Sequence, residues 1–231
     1  TGSVVRVRRS SDNAEQDFSD VSLIADWVGS GNDGYVTTWY DQSGNGNNAT
    51  QSTASSQPKI VDAGALVSDG IDFDGVDDFL DTGYSSGVAS SQSLFAVFKV
   101  DLIDSSFRTP IDGRDANDDG IGFGVTTAIG FRFHVDADDV FATANTSLDL
   151  LTGIYGSSAS AIYQKGALAD SGLAPSTISV TTENYFIGKS PIGTSSLPLD
   201  GSISEIIIYD SDQSANRVAI ETNINNYYDI Y

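Results

Sequence analysis

Residues 93–100 read Ser93-Leu94-Phe95-Ala96-Val97-Phe98-Lys99-Val100. A near-continuous apolar run of this length is typical of a central strand that is covered on both faces. Shorter segments around it alternate apolar and polar residues, as strands with one buried face do. These candidate strands cover residues 4–9, 35–40, 71–74, 121–125, 130–135, 150–155, 160–164, 184–187 and 201–209.

About ten strands separated by Gly, Asp and Ser turns predict an all-β fold, a two-sheet antiparallel β-sandwich. Two short helices complete the prediction. Asp20 is the expected N-cap of the first, and Ser214 that of a C-terminal helix. We find no linker, repeat or heptad, so residues 1–231 are predicted to form a single domain.

The chain is strongly acidic, with 32 Asp and Glu against 11 Lys and Arg and a net charge of −21. Only four acids are Glu, and Asp favours turns because its short side chain bonds nearby backbone N–H groups. A phosphate backbone would be repelled, so nucleic acid is not an expected partner. No apolar run is long enough to predict membrane insertion. Cysteine is absent and His134 is the one histidine, which argues against thiolate and zinc sites.

Residues 115–120 match the first half of a calcium-binding loop, D-x-[DN]-x-[DN]-G. Alternate oxygens in such a loop converge on one cation. Position 12 is Thr126 instead of the usual bidentate Glu, so another group must complete the coordination. The alternative is an Asx-rich turn without metal. The predicted Ca²⁺ ligands are Asp115, Asn117, Asp119, the Ile121 carbonyl and Asp112.

Two sets of residues have the composition of a sugar site, in which an aromatic face stacks on C–H groups and polar side chains bind hydroxyls. The alternative for the first set is a core aromatic beside an Asx turn. The alternative for the arginines is neutralisation of neighbouring Asp residues. The first set is Trp39, Tyr40, Asp41 and Asn45, and the second is Tyr84, Arg108 and Arg114.

Three other groups are interpreted as structural. His134 lies on an alternating strand, and residues 136–139 form an acidic hairpin turn. Glu205 is expected on an exposed face or edge of its strand, since Glu is seldom buried.

Four segments together resemble the concanavalin A-like lectin/glucanase superfamily, in its laminin G-like branch. They occur in the family's order and span nearly the whole chain. The resemblance implies a β-sandwich of jelly-roll type, and it implies little about function because this fold carries lectins, adhesins, virion proteins and glycosidases. The segments are residues 7–17, 39–47, 73–80 and 199–210.

The first two segments also resemble the catalytic domain of B-type arabinofuranosidases, which implies a carboxylate nucleophile and an acid/base. Residues 121–135 contain no Glu, and Lys189 stands where the resemblance places the Asp of a Gly-Asp-Asn site. The Glu-x-Asp-x-x-Glu motif of the superfamily's glucanases is also missing. These departures weaken the enzyme hypothesis, because a retaining glycosidase needs two carboxyls about 5 Å apart.

We therefore expect a non-catalytic carbohydrate-binding or attachment domain, with a glycan or polysaccharide as partner. Its expected setting is an extracellular adhesin, a secreted multidomain protein or a virion. The absence of methionine, even at position 1, suggests a processed piece of a longer chain. The two alternatives are a structural building block that contacts neighbouring domains or forms a homo-oligomer, and a glycoside hydrolase.

Overall fold

A computed structural model describes residues 2–87, 90–136, 138–156, 159–173, 178, 183–192 and 196–231. The protein is all-β, as predicted. Its strands are β1 (Val5–Arg9), β2 (Glu15–Phe18), β3 (Gly34–Trp39), β4 (Ala49–Thr50), β5 (Lys59–Asp62), β6 (Ala65–Leu66), β7 (Ile71–Asp74), β8 (Leu80–Asp81), β9 (Gln92–Val100), β10 (Phe107–Asp112), β11 (Ile121–Thr126), β12 (Gly130–Val135), β13 (Asp138–Ala142), β14 (Asp149–Gly156), β15 (Ala159–Gln164), β16 (Ala167–Leu173), β17 (Phe186–Ile187), β18 (Ser196–Pro198) and β19 (Asp200–Tyr209). The helices are α1 (Ile24–Val28) and α2 (Arg217–Tyr228).

The strands form two layers. The first has the order β2-β1-β3-β4-β8-β17-β10-β11-β12-β13. The second has the order β16-β15-β14-β9-β19-β7-β5-β6. Strand β5 also pairs with β3, which joins the two layers at one edge. The described pairings are antiparallel apart from β10 with β18.

The core lies between the layers. The ring of Phe98 on β9 lies 6.5 Å from that of Phe123 and 5.5 Å from that of Phe131, both in the opposite layer. Gly153 on β14 faces Phe133, and a Cβ at this glycine would lie 2.3 Å from the ring. The absence of a side chain at Gly153 therefore lets the two sheets approach closely.

Strand β9 is covered on both faces, which confirms the interpretation of its apolar run. Leu94, Ala96, Phe98 and Val100 enter the core between the sheets. The alternate residues Phe95 and Val97 pack in a second cluster with Ile224 of helix α2. The C-terminal helix is thus a third layer on the outer face of the second sheet.

The helix starts differ in part from the prediction. Asp20 does cap a 3-10 turn, since its side chain accepts a hydrogen bond from the Ser22 amide, and this turn leads into α1. The N-cap position of helix α2 is Asn216, two residues beyond the predicted Ser214, and its side chain makes no capping hydrogen bond. The amide of Ser214 is bound by the Asp212 side chain in a preceding turn, which delays the helix. Neither described helix has the length and apolar composition needed to cross a bilayer.

Candidate functional site

One row of side chains crosses the whole first sheet on the face away from the core. In an antiparallel ladder, residues directly opposite each other point to the same face. Nine successive pairings therefore place ten residues side by side, a distance of about 43 Å at the usual ~4.8 Å strand spacing. We call this set the polar row: Asp17, Arg6, Thr38, Thr50, Asp81, Phe186, Asp112, Gly122, His134 and Asp139.

The buried half of the row is covered by the 113–120 loop. Asp112 is fully buried, and both of its carboxylate oxygens accept hydrogen bonds from Arg114, at 2.6–3.0 Å. Arg114 also donates to the Asp118 carboxylate at 2.7 Å. Gly122 leaves room for this pair, because a Cβ there would lie 2.7 Å from an Asp112 oxygen. The ion pair therefore fastens the loop to the sheet.

His134 and Asp139 close this end of the row. The His134 Nδ1 lies 2.8 Å from the Asp139 carboxylate, and its Nε2 lies 2.9 Å from the Asp118 carbonyl oxygen. Burial would raise the pKa of Asp139, but the hydrogen bond with His134 and the charge of Arg132 outweigh burial and lower it. Both ring nitrogens of His134 are occupied, which agrees with its structural interpretation.

The middle of the row carries a group that we call the aromatic–lysine cluster: Phe79, Asp81, Asn184, Phe186 and Lys189. The two phenylalanine rings lie 5.9 Å apart. The Lys189 Nζ lies 3.2 Å from the Phe79 ring centre and 4.9 Å from the Phe186 ring centre. The Asn184 amide donates to Asp81 at 3.0 Å. Burial lowers the pKa of Lys189, against the opposing charge of Asp81.

At the far end, Arg6 forms a two-pronged pair with Asp17, at 2.7 and 2.9 Å. The Tyr40 hydroxyl donates to the same Asp17 carboxylate at 2.8 Å. The hydrogen bond from Arg6 holds the pKa of Asp17 below its usual value. One of the predicted sugar-site aromatics therefore lies at the end of the row.

Five of the described carboxyls have a raised pKa and lie off the polar row. Burial raises the pKa of each, and the five are spread over β7, the turn after it, β14, β19 and α2. A glycosidase acid needs such a raised pKa at the site that holds the sugar. These residues are Asp72, Asp78, Asp149, Glu205 and Glu221. Glu205 is half-buried rather than exposed as predicted, because its strand lies beneath helix α2.

The predicted metal ligands lie in and beside the 113–120 loop. The Asp115 carboxylate accepts hydrogen bonds from the amides of Asn117 and Asp119, the pattern of an Asx turn. Asp112 is bound to Arg114, and Ile121 begins β11 with a buried side chain. Calcium binding at this loop stays a prediction.

Another acidic group converges elsewhere. Carboxylate oxygens of Asp74, Asp77 and Asp78 lie within 4.8 Å of one another, in the turn after β7. Asp78 is buried, and burial together with the charge of Asp74 raises its pKa to about 7. Within the described residues, these are the three carboxylates whose spacing could hold a cation.

The predicted sugar residues are spread over the molecule. Asp41 binds the amides of Ser43 and Asn47, so the segment that includes exposed Asn45 is an Asx turn. Trp39 is partly buried against the core.

The remaining three predicted sugar residues lie apart from that turn. Tyr84 stacks on Tyr185 and donates its hydroxyl to Asp210. Arg108 is buried and paired with Asp104, at the opposite end of β10 from Asp112. Arg114 is the predicted sugar residue that the structure brings to the covered half of the polar row.

Sequence reasoning missed the aromatic–lysine cluster as a unit. Phe79 immediately precedes β8 and Phe186 begins β17, more than 100 residues away, and their side chains meet because β8 pairs with β17. The local sequence signal was Lys189, a lysine at the position where the resemblance to arabinofuranosidases places an Asp. Alternation in the two-residue strand β17 is too short to indicate which face each side chain takes.

No family model matches the sequence, and no curated protein matches it. Three solved structures are similar in fold. A GH54 α-L-arabinofuranosidase soaked with a cyclic sulfate inhibitor has a TM-score of 0.64 at 15% identity, over 97% of this chain and 59% of its own. An arabinofuranosidase complexed with arabinofuranosyl-α-1,2-xylobiose gives 0.61 at 17%, over 96% and 58%. A Trypanosoma rangeli sialidase gives 0.51 at 11%, over 79% and 30%.

These likenesses show the fold. The chain spans a little under three fifths of the two arabinofuranosidase chains. The predicted partial resemblance to arabinofuranosidases is therefore supported at the level of a shared β-sandwich.

We predict that Asp112→Asn destabilises the domain by about 3 kcal/mol, because it leaves the buried Arg114 guanidinium paired only with the largely exposed Asp118 carboxylate. Urea unfolding followed by circular dichroism measures the loss. Asp62→Asn is the matched control, since its pair with Lys59 is solvent-exposed and such pairs contribute little. Equal effects of the two substitutions would show that the Asp112 pair does not fasten the loop.

We predict that Asp78→Asn makes the protein more stable than wild type at pH 8, with the advantage shrinking towards pH 4. The folded carboxyl keeps its proton up to about pH 7, whereas the unfolded one loses it near pH 4. Wild-type stability therefore falls between these values relative to the variant. Urea unfolding at four pH values measures the difference, and a pH-independent difference would contradict the assignment.

Proposed function

We propose that this domain binds a glycan along the polar row, at the aromatic–lysine cluster, without cleaving it. The observation that carries the proposal is the grouping of two aromatic rings with an ammonium, a carboxylate and an amide on one sheet face. Ring faces stack on sugar C–H groups, and the polar side chains bind hydroxyls. The open part of the row, from Asp17 to Phe186, matches the extended form of an oligosaccharide.

The state of the carboxylates favours binding over hydrolysis. Asp112 and Asp139 are both bound to cations or to His134, and the pKa of Asp139 is lowered. A catalytic acid must instead hold a proton near neutral pH. The five described carboxyls whose pKa burial raises lie off the row.

The structural neighbours support a sugar-related function, since two of them are arabinofuranosidases and one is a sialidase. We extend to this chain only the class of ligand. We also propose that the domain belongs to the laminin G-like branch of the concanavalin A-like superfamily. Its proposed setting is an extracellular or virion-borne adhesin, or a secreted multidomain protein.

We predict that Phe186→Ala lowers affinity for the bound glycan about fivefold, because loss of a stacked ring costs on the order of 1 kcal/mol. A glycan array identifies the ligand, and calorimetry measures the affinity. Tyr227→Ala is the control, as this tyrosine is exposed on helix α2, away from the row. Equal loss in both variants, or none in either, would place the ligand elsewhere.

The same preparation separates the alternatives. Release of 4-nitrophenol from 4-nitrophenyl α-L-arabinofuranoside would establish the glycoside hydrolase hypothesis. No ligand on the array, with a homo-oligomer in solution, would favour the structural building block.

We also propose that Ca²⁺ stabilises the domain. Millimolar calcium is then expected to raise the melting temperature by several degrees over EDTA, since a ligand of the folded state shifts unfolding by mass action. The double variant Asp115→Ala/Asp119→Ala should abolish the rise. A rise that persists there but disappears in Asp77→Ala would move the site to the turn after β7, and no rise in wild type would refute calcium binding.

A further inference from the structure

Lys189 stands out among the basic residues. Eight of the eleven have a carboxylate within 4 Å, as expected in so acidic a chain. Within the described residues, Lys189 has none at that distance, although it is half-buried. Its ammonium instead faces two phenylalanine rings. This cation is therefore available to a charged ligand.

The charge around the polar row differs from that of the whole chain. The row and the side chains bound to it contain four cations, which are Arg6, Arg114, Arg132 and Lys189. They face five carboxylates, which are Asp17, Asp81, Asp112, Asp118 and Asp139. The local balance is near neutral, whereas the chain carries 32 acids against 11 bases.

Most of the distant negative charge is screened at physiological ionic strength, where the Debye length is about 8 Å. The groups beside a bound sugar therefore decide its preference. Asp81 is the carboxylate whose charge acts on Lys189, and it already accepts hydrogen bonds from Asn184 and from the Gly83 amide. An anion bound at Lys189 would therefore contact the ammonium, while the neighbouring Asp81 carboxylate keeps its hydrogen bonds with Asn184 and Gly83.

We propose that the aromatic–lysine cluster selects acidic glycans, in which a sugar carboxylate or sulfate pairs with the Lys189 ammonium while the sugar ring stacks on Phe186. This inference rests on the proposed function, of which it specifies the ligand class. A charge-assisted hydrogen bond from a half-desolvated ammonium is stronger than one in open water. The ammonium needs only to move from the ring faces to the anion.

The test uses ligand pairs that share a sugar backbone and differ in whether it carries an anionic group. Galacturonic acid oligomers are compared with their methyl esters, and sulfated agaro-oligosaccharides with unsulfated ones, by calorimetry at 50 and 300 mM NaCl. We expect the acidic member of at least one pair to bind tenfold or more tightly, with the preference weaker at high salt. We also expect the bound anion to raise the pKa of Lys189, measured from its side-chain NMR shifts.

Lys189→Gln removes the cation but keeps a hydrogen-bonding side chain. It should abolish the preference for the acidic ligand while leaving binding of the neutral ligand within about twofold. Lys165→Gln is the matched control, because Lys165 lies in the β15–β16 turn of the other sheet and also lacks a carboxylate within 4 Å among the described residues. The control should bind as wild type does.

Three outcomes overturn the inference in different ways. Equal affinity for the acidic and neutral members of both pairs would refute charge selection but leave glycan binding intact. A preference for acidic ligands that survives Lys189→Gln would place the anion on another cation. Failure to bind either member, or any glycan on the array, would refute the proposed function together with this inference.

Discussion

The buried pair of Asp112 and Arg114 is the interaction on which the candidate site depends. Both groups have left water, so the Asp112 carboxylate depends on the charge of Arg114. Arg114 in turn has Asp112 as its buried partner and the largely exposed Asp118 as its second. Their contact holds the 113–120 loop over one half of the sheet. That loop in turn supplies the Asp118 carbonyl to His134. One desolvated ion pair thus divides the polar row into two parts. The 113–120 loop covers the part around Asp112 and His134, and the part around Phe186 stays open.

Ladder register sets the rest of the geometry. Successive residues of a strand point to opposite faces of the sheet. On β10, Ile111 therefore enters the core while its neighbour Asp112 points to the other face. A slip of one residue would bury charge in the core and expose apolar side chains. The hydrophobic core therefore fixes the register, and the same register aligns ten residues from ten strands, eight of them polar. The row is a consequence of core packing as much as of any selection for binding.

The sequence predicted the strands that have a long apolar or alternating pattern. It did not predict the side-chain contacts that form the candidate site. The apolar run in β9 and the alternation in β12 predicted strands that the structure contains. Strand β10, which carries Asp112, was missed because Pro110 and neighbouring polar residues interrupt its alternation. The calcium-like motif at Asp115 was visible, but the pairing of Asp112 with Arg114 depends on side-chain geometry. The meeting of Phe79 with Phe186 depends on a pairing between distant short strands.

The position of Lys189 joins the sequence and structural arguments. The sequence shows a lysine where the resemblance to arabinofuranosidases implies a carboxylate, and the structure places it against aromatic rings on the polar row. A carboxyl with a raised pKa at this position could donate a proton to a leaving group. The Lys189 ammonium, which lies against the two rings, is positively charged instead. It can attract an anion, but it cannot act as the carboxylate nucleophile of a glycosidase. The fold that this chain shares with the arabinofuranosidases therefore does not require this position to share their chemistry.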